Sequence, residues 1–282
     1  MTVKRVGVLG SGIMGSGIAE TAAKAGLEVV LRSRQASTAH DTRVHLEKGL
    51  AKQVSRGKLD SAEAELVLSR VRATAEIRDL ADCDLVIESV IEDLAVKKAL
   101  FAEVDALVGH ETIIATNTST LPVVELAMSV SQPERVCGIH FFNPAPVMSL
   151  VEIVRPLTAS DETIAEATAF AEACGKTPVE VKDQAGFVVN ALLFPYLNNA
   201  IRMLEQGVAS KEGIDAAMQG GCGFPMGPLA LLDLVGLDTS LSILEVLHQE
   251  HGDPNYTPVP LLRRLVAAGQ LGRKTKQGFY SY

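Results

Sequence analysis

The sequence predicts an α/β fold, a mainly parallel sheet covered by helices, followed by a smaller all-α domain. Three observations carry this expectation. Short apolar runs alternate with helical segments up to about Asp183, the pattern of parallel strands joined by crossover helices. A glycine-rich turn, Gly10-Ser11-Gly12-Ile13-Met14-Gly15, follows the first apolar run directly. From Gly186 to Tyr282 strand signals vanish and helical segments succeed one another. The expected domains are therefore 1–184 and 185–282.

Val6 to Leu9 reads as a buried strand. Ile18 to Ala25 reads as a helix closed by Gly26, and Glu28 to Leu31 as a second strand. A long helical stretch runs through Leu50 and Val54, and Asp60 with Glu63 has the spacing of a capping box. Leu85 to Ile87, Ile113 to Ala115 and Val136 to Ile139 are further short strands. Leu150 to Val154 and Val179 to Val181 extend the sheet, with a helix near Ile164 to Ala173 between them. Beyond the boundary, Phe187 to Leu204 is expected to be a helix kinked at Pro195, because proline has no amide to donate. Helical patterns continue at Ile214 to Met218, Leu229 to Leu234, Ser240 to His248 and Leu261 to Ala268.

Composition narrows the function classes. Of 282 residues, 47% are hydrophobic and 21% charged, enough apolar surface for a packed core. The 34 acidic and 26 basic residues give a formal charge of -8, a field that repels phosphate backbones and argues against a nucleic-acid partner. Any anionic substrate must then be held by local cations. Cys83, Cys137, Cys174 and Cys222 form no C-x-x-C pair; they read as small core residues of a reducing compartment, with neither a disulfide framework nor a metal site. No apolar run has the length of a membrane span, and no signal pattern opens the chain, so the expected location is the cytoplasm.

A strand, then G-x-G-x-x-G, then a helix is the fingerprint of a Rossmann-type dinucleotide site. Gly10 permits the tight turn, Gly12 lets backbone approach a pyrophosphate, and Gly15 lets helix and strand pack closely. Ile13 and Met14 lie within this turn, and the N-terminus of the helix that follows offers free amides and a partial positive charge to the phosphates. NAD-specific sites usually carry an acidic residue at the end of the second strand, bonded to the ribose 2′-OH. Here that end reads Arg32-Ser33-Arg34. Ser33 tolerates a 2′-phosphate and Arg34 can pair with one, so NADP is favoured over NAD. The plainer alternative is that Arg34 is a solvated loop residue.

His140 lies at the end of an apolar strand, where α/β sheets bind ligands, and a histidine there can exchange protons near neutral pH. It could equally be a satisfied core histidine. Glu152 sits within another apolar run and needs a partner; His140 could be that partner, in a base and orienter pair. Asn190 interrupts the apolar run Phe187 to Leu193 and could donate to a carbonyl oxygen, or simply pack its helix. Ser119 follows a strand and could be a helix cap. Lys48, Lys52 and Arg56 recur every four residues and share a helix face, either a solvated face or a phosphate-binding stripe.

With these residues in view, the sequence resembles the 3-hydroxyacyl-CoA dehydrogenase family, in particular its small stand-alone bacterial members, over nearly its whole length. The runs that carry the resemblance are Gly10 to Ala19, Asn117-Thr118-Ser119, His140 to Met148, Gly186 to Asn190, Pro225-Met226-Gly227-Pro228 and Gly272 to Thr275. The resemblance implies an oxidoreductase that interconverts (S)-3-hydroxyacyl-CoA, with 3-hydroxybutyryl-CoA favoured, and 3-oxoacyl-CoA. It implies His140 as general base, Glu152 as its orienter, and Ser119 and Asn190 as substrate contacts at the reacting oxygen. It further implies cofactor contacts at Glu92, Lys97, Ser119, Asn143 and Lys274, coenzyme A contacts at Lys52 and Arg56, and a homodimer formed by the helical domain. The chain departs from the family's pattern at Ser33, where an acidic residue is usual, and at Ala185 and Ala191. A free 3-hydroxy acid dehydrogenase and a non-catalytic nucleotide-binding protein are the competing readings. Fatty acid oxidation, butanoate formation and polyester precursor supply are all compatible pathways.

Overall fold

The computed structural model describes residues 3–282. The chain divides after Asp183 into two compact units. The first unit is an eight-stranded sheet. In chain order it contains β1 (Arg5–Leu9), α1 (Ile13–Lys24), β2 (Glu28–Arg32), α2 (Ala36–Ser55), α3 (Ser61–Arg70), β3 (Val71–Thr74) and β4 (Leu85–Glu88). Then come α4 (Leu94–Asp105), β5 (Ile113–Thr116), α5 (Val123–Ala127), β6 (Val136–Phe141), β7 (Leu150–Arg155), α6 (Asp161–Ala173) and β8 (Thr177–Lys182). The strand order is β3-β2-β1-β4-β5-β6-β7-β8.

β1 to β6 run parallel, and all of them but β3 are buried, near-continuous apolar runs. β7 pairs with β6 antiparallel, and β8 then follows β7 in parallel. The order reverses between β1 and β4, which creates the crevice where such sheets bind ligands, beyond the carboxyl ends of the strands. One apolar layer joins Val6, Val8, Val29 and Leu31 of the sheet to Ile18, Ala22, Leu46, Leu50 and Val67 of α1 to α3. It continues to Ile164, Ala167 and Phe170 of α6.

Two elements differ from expectation. α1 starts at Ile13 rather than Ile18, because the turn glycines deliver the chain straight into the helix. β3 was not anticipated: it is four residues long, and only Val71 among them is buried, so it lacks an apolar run. Asp60 does cap α3, accepting from the amide of Ala62 at 2.8 Å.

The second unit is helical: α7 (Val189–Glu205), α8 (Lys211–Cys222), α9 (Pro228–Val235), α10 (Leu237–His251) and α11 (Pro260–Ala267). Leu197, Ile201, Leu229, Leu232, Leu244, Leu247 and Leu262 form its own core. α7 continues through Pro195. The carbonyl of Ala191, which Pro195 has no amide to serve, accepts instead from the Tyr256 hydroxyl at 3.4 Å. Two buried aspartates clamp the backbone here. Asp215 accepts the amides of Leu229 and Ala230 at the start of α9. Asp233 accepts those of Phe279 and Tyr280 near the chain end.

All four cysteines are free thiols. Cys83 and Cys137 are core residues whose thiols burial pushes up to about 12. Cys222, expected in the core, is exposed at the end of α8, whose last four residues, 219–222, all face out. Among the described residues no cluster of His, Cys, Asp or Glu could hold a metal, and no helix is long and apolar enough to cross a membrane.

Candidate active site

The glycine turn has the geometry that a dinucleotide requires. Gly10 has φ +105, and a Cβ on it would lie 2.3 Å from the carbonyl oxygen of Ser89. A Cβ on Gly15 would lie 1.9 Å from the carbonyl oxygen of Gly10. Both positions therefore admit only glycine. At Gly12, by contrast, a Cβ would meet nothing within 4 Å, so the turn leaves open space there. α1 begins there with no acidic residue in its first turn, and its positive end is left uncompensated. Ile13 is 79% exposed and Met14 is half-buried. These residues fit a bound dinucleotide.

At the end of β2 the two candidate specificity residues part company. Arg34 is exposed. Ser33 is buried, its amide tied to the carbonyl of Thr74 at 2.9 Å and its hydroxyl without a hydrogen-bond partner. The bond from the Ser33 amide to Thr74 continues the pairing of β2 with β3 beyond Arg32. The bearing of Ser33 on cofactor choice reduces to not being a carboxylate. Arg32, half-buried, donates from Nε to the carbonyl of Ala75 at 3.3 Å.

His140 and Glu152 are cross-strand partners in the antiparallel β6–β7 pair. Residues directly opposite in such a pair share a face. His140 Nδ1 and Glu152 Oε2 lie 2.7 Å apart, and both residues are buried. An ionised carboxylate only accepts, so the bond fixes the proton of a neutral imidazole on Nδ1. In that tautomer Nε2 is the basic nitrogen of the ring. Phe142 packs its ring 4.5 Å from that of His140. Asn143, just beyond β6, is exposed on the same carboxyl edge of the sheet.

Ser119 stands in the loop after β5, half-buried. It is not a helix cap. The first amides of α5, Val123 and Val124, are accepted by the Asp183 carboxylate at 2.9 and 2.7 Å. Ser119 instead donates its amide to Glu92 Oε1 at 2.9 Å, and Thr118 donates its hydroxyl to the same oxygen. Burial raises the Glu92 carboxyl, but Lys97, then Thr118 and the Ser119 amide, outweigh it and hold it below the usual glutamate range. Lys97 itself is almost wholly buried. Its ammonium lies 2.7 and 2.8 Å from the two oxygens of Glu88 and 3.1 Å from Glu92 Oε2. Three carboxylate oxygens match its three donors, so Lys97 orders Glu92 rather than offering a spare donor to a ligand. Glu88 went unnoticed in the sequence because it reads as the last residue of an apolar strand.

Lys52 and Arg56 are both exposed, at the end of α2 and at its C-cap. They line a cavity of about 320 Å³ with Lys24, Lys58, Pro144 and Val147. Four cations there face one carboxylate, Glu20, which accepts from Lys24 at 2.7 Å and from Gln53 at 2.8 Å. Lys48 is not part of the lining. Lys24 and Lys58 were not singled out in the sequence, since neither falls in the four-residue stripe.

In the helical unit, Asn190 is buried in the first turn of α7. Asn198 on the same helix is a packing amide that donates to the Thr257 carbonyl at 2.8 Å and accepts from the Val259 amide at 3.1 Å. Lys274 Nζ lies 2.5 Å from an oxygen of Asp238.

Comparison with known proteins fits this geometry. Residues 5–184 match the family model for the NAD-binding domain of 3-hydroxyacyl-CoA dehydrogenase, and residues 186–282 match that for its C-terminal domain. A 3-hydroxybutyryl-CoA dehydrogenase of Mycobacterium tuberculosis is 47% identical over 282 residues, covering 99% of both chains. The human mitochondrial hydroxyacyl-coenzyme A dehydrogenase is 41% identical over 287 residues, covering 99% of this chain and 91% of that one. The crystal structure of (S)-3-hydroxybutyryl-CoA dehydrogenase from Ralstonia eutropha superposes with a TM-score of 0.96 at 42% identity, over 100% of this chain and 99% of that one. With both halves matched and the whole length covered, the chain belongs to the 3-hydroxyacyl-CoA dehydrogenase family of oxidoreductases.

Proposed function

We propose that this dehydrogenase interconverts short-chain (S)-3-hydroxyacyl-CoA and 3-oxoacyl-CoA, with His140 as the proton-transfer group. The observation that carries the reading is the buried His140–Glu152 pair at the carboxyl edge of the sheet. In the oxidative direction His140 Nε2 takes the proton of the 3-hydroxyl group. Glu152 stabilises the imidazolium that results, as a buried carboxylate does for a neighbouring cation. The bound nicotinamide supplies the hydride acceptor, or the donor in reverse. Ser119 and Asn190 hydrogen-bond the reacting oxygen, Asn190 being assigned on the family's pattern alone. The same pattern assigns cofactor contacts to Ser119, Glu92, Asn143 and Lys274, with Lys97 acting through Glu92. The cations at Lys52 and Arg56, joined by Lys24 and Lys58, suit the phosphates of coenzyme A.

NADP is the favoured cofactor. The exposed Arg34 supports this, as does the lack of a carboxylate at Ser33, which removes a repulsion against a 2′-phosphate. A dimer through the helical unit is the favoured assembly, supported by the exposure of Leu192, Met203 and Val208 in and after α7. Light scattering on the purified protein reads the assembly directly.

The decisive experiment is reduction of acetoacetyl-CoA with NADPH and with NADH. Turnover with either supports the dehydrogenase, and none with either overturns it. A kcat/KM for NADPH about tenfold or more above that for NADH is expected, the scale of one charged hydrogen bond. The Ser33→Asp, Arg34→Ile double variant should lose that preference. A wild-type preference for NADH sinks the cofactor assignment alone. In Lys52→Ala, Arg56→Ala, KM for acetoacetyl-CoA should rise while kcat holds, the signature of lost uniform binding.

A further inference from the structure

Glu88 is the least exposed carboxylate near the site, at 0%. Burying a charge is costly unless it is paired and fully hydrogen-bonded, and an apolar pair of similar volume is often no less stable. The bonds Glu88 makes all lead to segments bearing site residues. Its Oε1 accepts from the Val90 amide at 2.6 Å and from Lys97 at 2.7 Å. Its Oε2 accepts from Lys97 at 2.8 Å and from the Thr116 hydroxyl at 2.7 Å. With that hydroxyl so directed, the Thr116 oxygen accepts the Thr118 amide at 3.1 Å. The Glu88 carbonyl accepts the Asn117 amide at 2.8 Å. Asn117 Oδ1 in turn takes the amide of Phe141, the neighbour of His140, at 2.8 Å.

We propose that Glu88 is a positioning residue for the reaction, holding the Lys97 ammonium so that Glu92 keeps one oxygen on Lys97 and the other on Thr118 and Ser119. The physical reason is competition for one cation. With Glu88 ionised, two of the three donors of Lys97 are occupied and only Glu92 Oε2 is drawn toward it. Glu92 Oε1 is left to fix the Ser119 amide and the Thr118 hydroxyl. Without the charge on Glu88, the ammonium turns to Glu92 as its sole anionic partner and engages both oxygens. Ser119 then loses the anchor that sets its side chain. An apolar pair at 88 and 97 would fill the space but would leave Glu92 free to rotate.

The inference rests on the reading of Ser119 as a contact to the reacting oxygen, and a double-mutant cycle separates the two. Glu88→Gln keeps the shape and removes the charge. In the full-length enzyme it should lower kcat at saturating substrate and cofactor by about tenfold, yet by less than about twofold once Ser119 is already alanine, because residues acting as one unit are not additive. A merely structural Glu88 predicts a lower Tm and equal losses in both backgrounds. Where Glu88→Gln accumulates unfolded, Glu88→Gln, Lys97→Met removes both buried charges together and carries the same cycle. Unchanged kcat in the Glu88 variant, or equal further losses with and without Ser119, overturns the inference and leaves the Ser119 reading intact. Wild-type turnover by Ser119→Ala overturns that reading, and the inference with it.

Discussion

The two ends of β6 each bury a basic side chain, and they do so for different ends. Arg135 sits just before the amino end and is 6% exposed; His140 sits near the carboxyl end and is 4% exposed. The Arg135 guanidinium works as a structural clasp: Nη1 donates to the carbonyls of Gly109 and Thr112 and Nη2 to the Asp105 carboxylate. Those partners hold the loop before β5 against the base of β6. His140 has a carboxylate on Nδ1, placed by the strand opposite, and a second ring nitrogen suited to proton exchange. Burial of a polar group is therefore no mark of a site. The edge of the sheet, and a cross-strand carboxylate that fixes a tautomer, make the difference.

The sharpest way to break the comparison is to remove both basic groups in turn. His140→Ala should reduce kcat by about 10²–10⁴-fold, the usual scale for a lost general acid–base group. Dinucleotide affinity and Tm should change little. Near wild-type turnover in the folded variant would leave His140 no better than Arg135 as a site residue. Arg135→Ala should do the opposite. Asp105 and Arg135 are 13% and 7% exposed, and stripping the cation from a largely buried pair costs about 3 kcal/mol. The midpoint of denaturant unfolding should fall accordingly, while kcat per folded molecule stays within about twofold. A loss of kcat in a variant that remains folded would give the amino end of β6 a functional part.

A smaller effect sharpens the structural half. Burial raises the Asp105 carboxyl, but the Ser131 amide and Arg135 outweigh it and leave the group below its ordinary value of 3.8. A carboxyl lowered on folding stabilises the protein above that ordinary value, and the contribution disappears as pH falls through the folded value. The stability gap between wild type and Asp105→Asn should therefore be constant near neutrality and should narrow below about pH 4. Urea midpoints measured from pH 7 to pH 3 check this, and a gap that stays constant throughout would show the aspartate is not held ionised by Arg135.

The sheet was legible wherever a strand is buried on both faces, since such strands read as continuous apolar runs, as in Leu85 to Ile87 and Val136 to Ile139. β3 was not, because Arg72 and Thr74 interrupt a four-residue strand at the sheet edge. His140, Glu152 and Ser119 could be named from residue type and local setting. The Glu88–Lys97–Glu92 chain could not, because its hydrogen bonds cross from the end of β4 to α4 and to the loop after β5.

By itself the sequence determined which residues could serve: glycines at 10 and 15 where no side chain fits, a histidine at a strand end, no carboxylate at 33. These are local properties, set by backbone sterics and residue chemistry. Tertiary structure alone decided which of them meet. An apolar run encodes burial but not direction, so only the folded sheet reverses β7 and sets Glu152 opposite His140. A serine after a strand can cap a helix or serve a site, and Asp183, 60 residues from the amide of Val123, takes the capping role and leaves Ser119 to Glu92. Ser33 is buried beside β3, invisible in the run of residues, whose Thr74 takes its amide. In each case the deciding partner is remote in the chain, and hydrogen-bond satisfaction in a buried setting selects it.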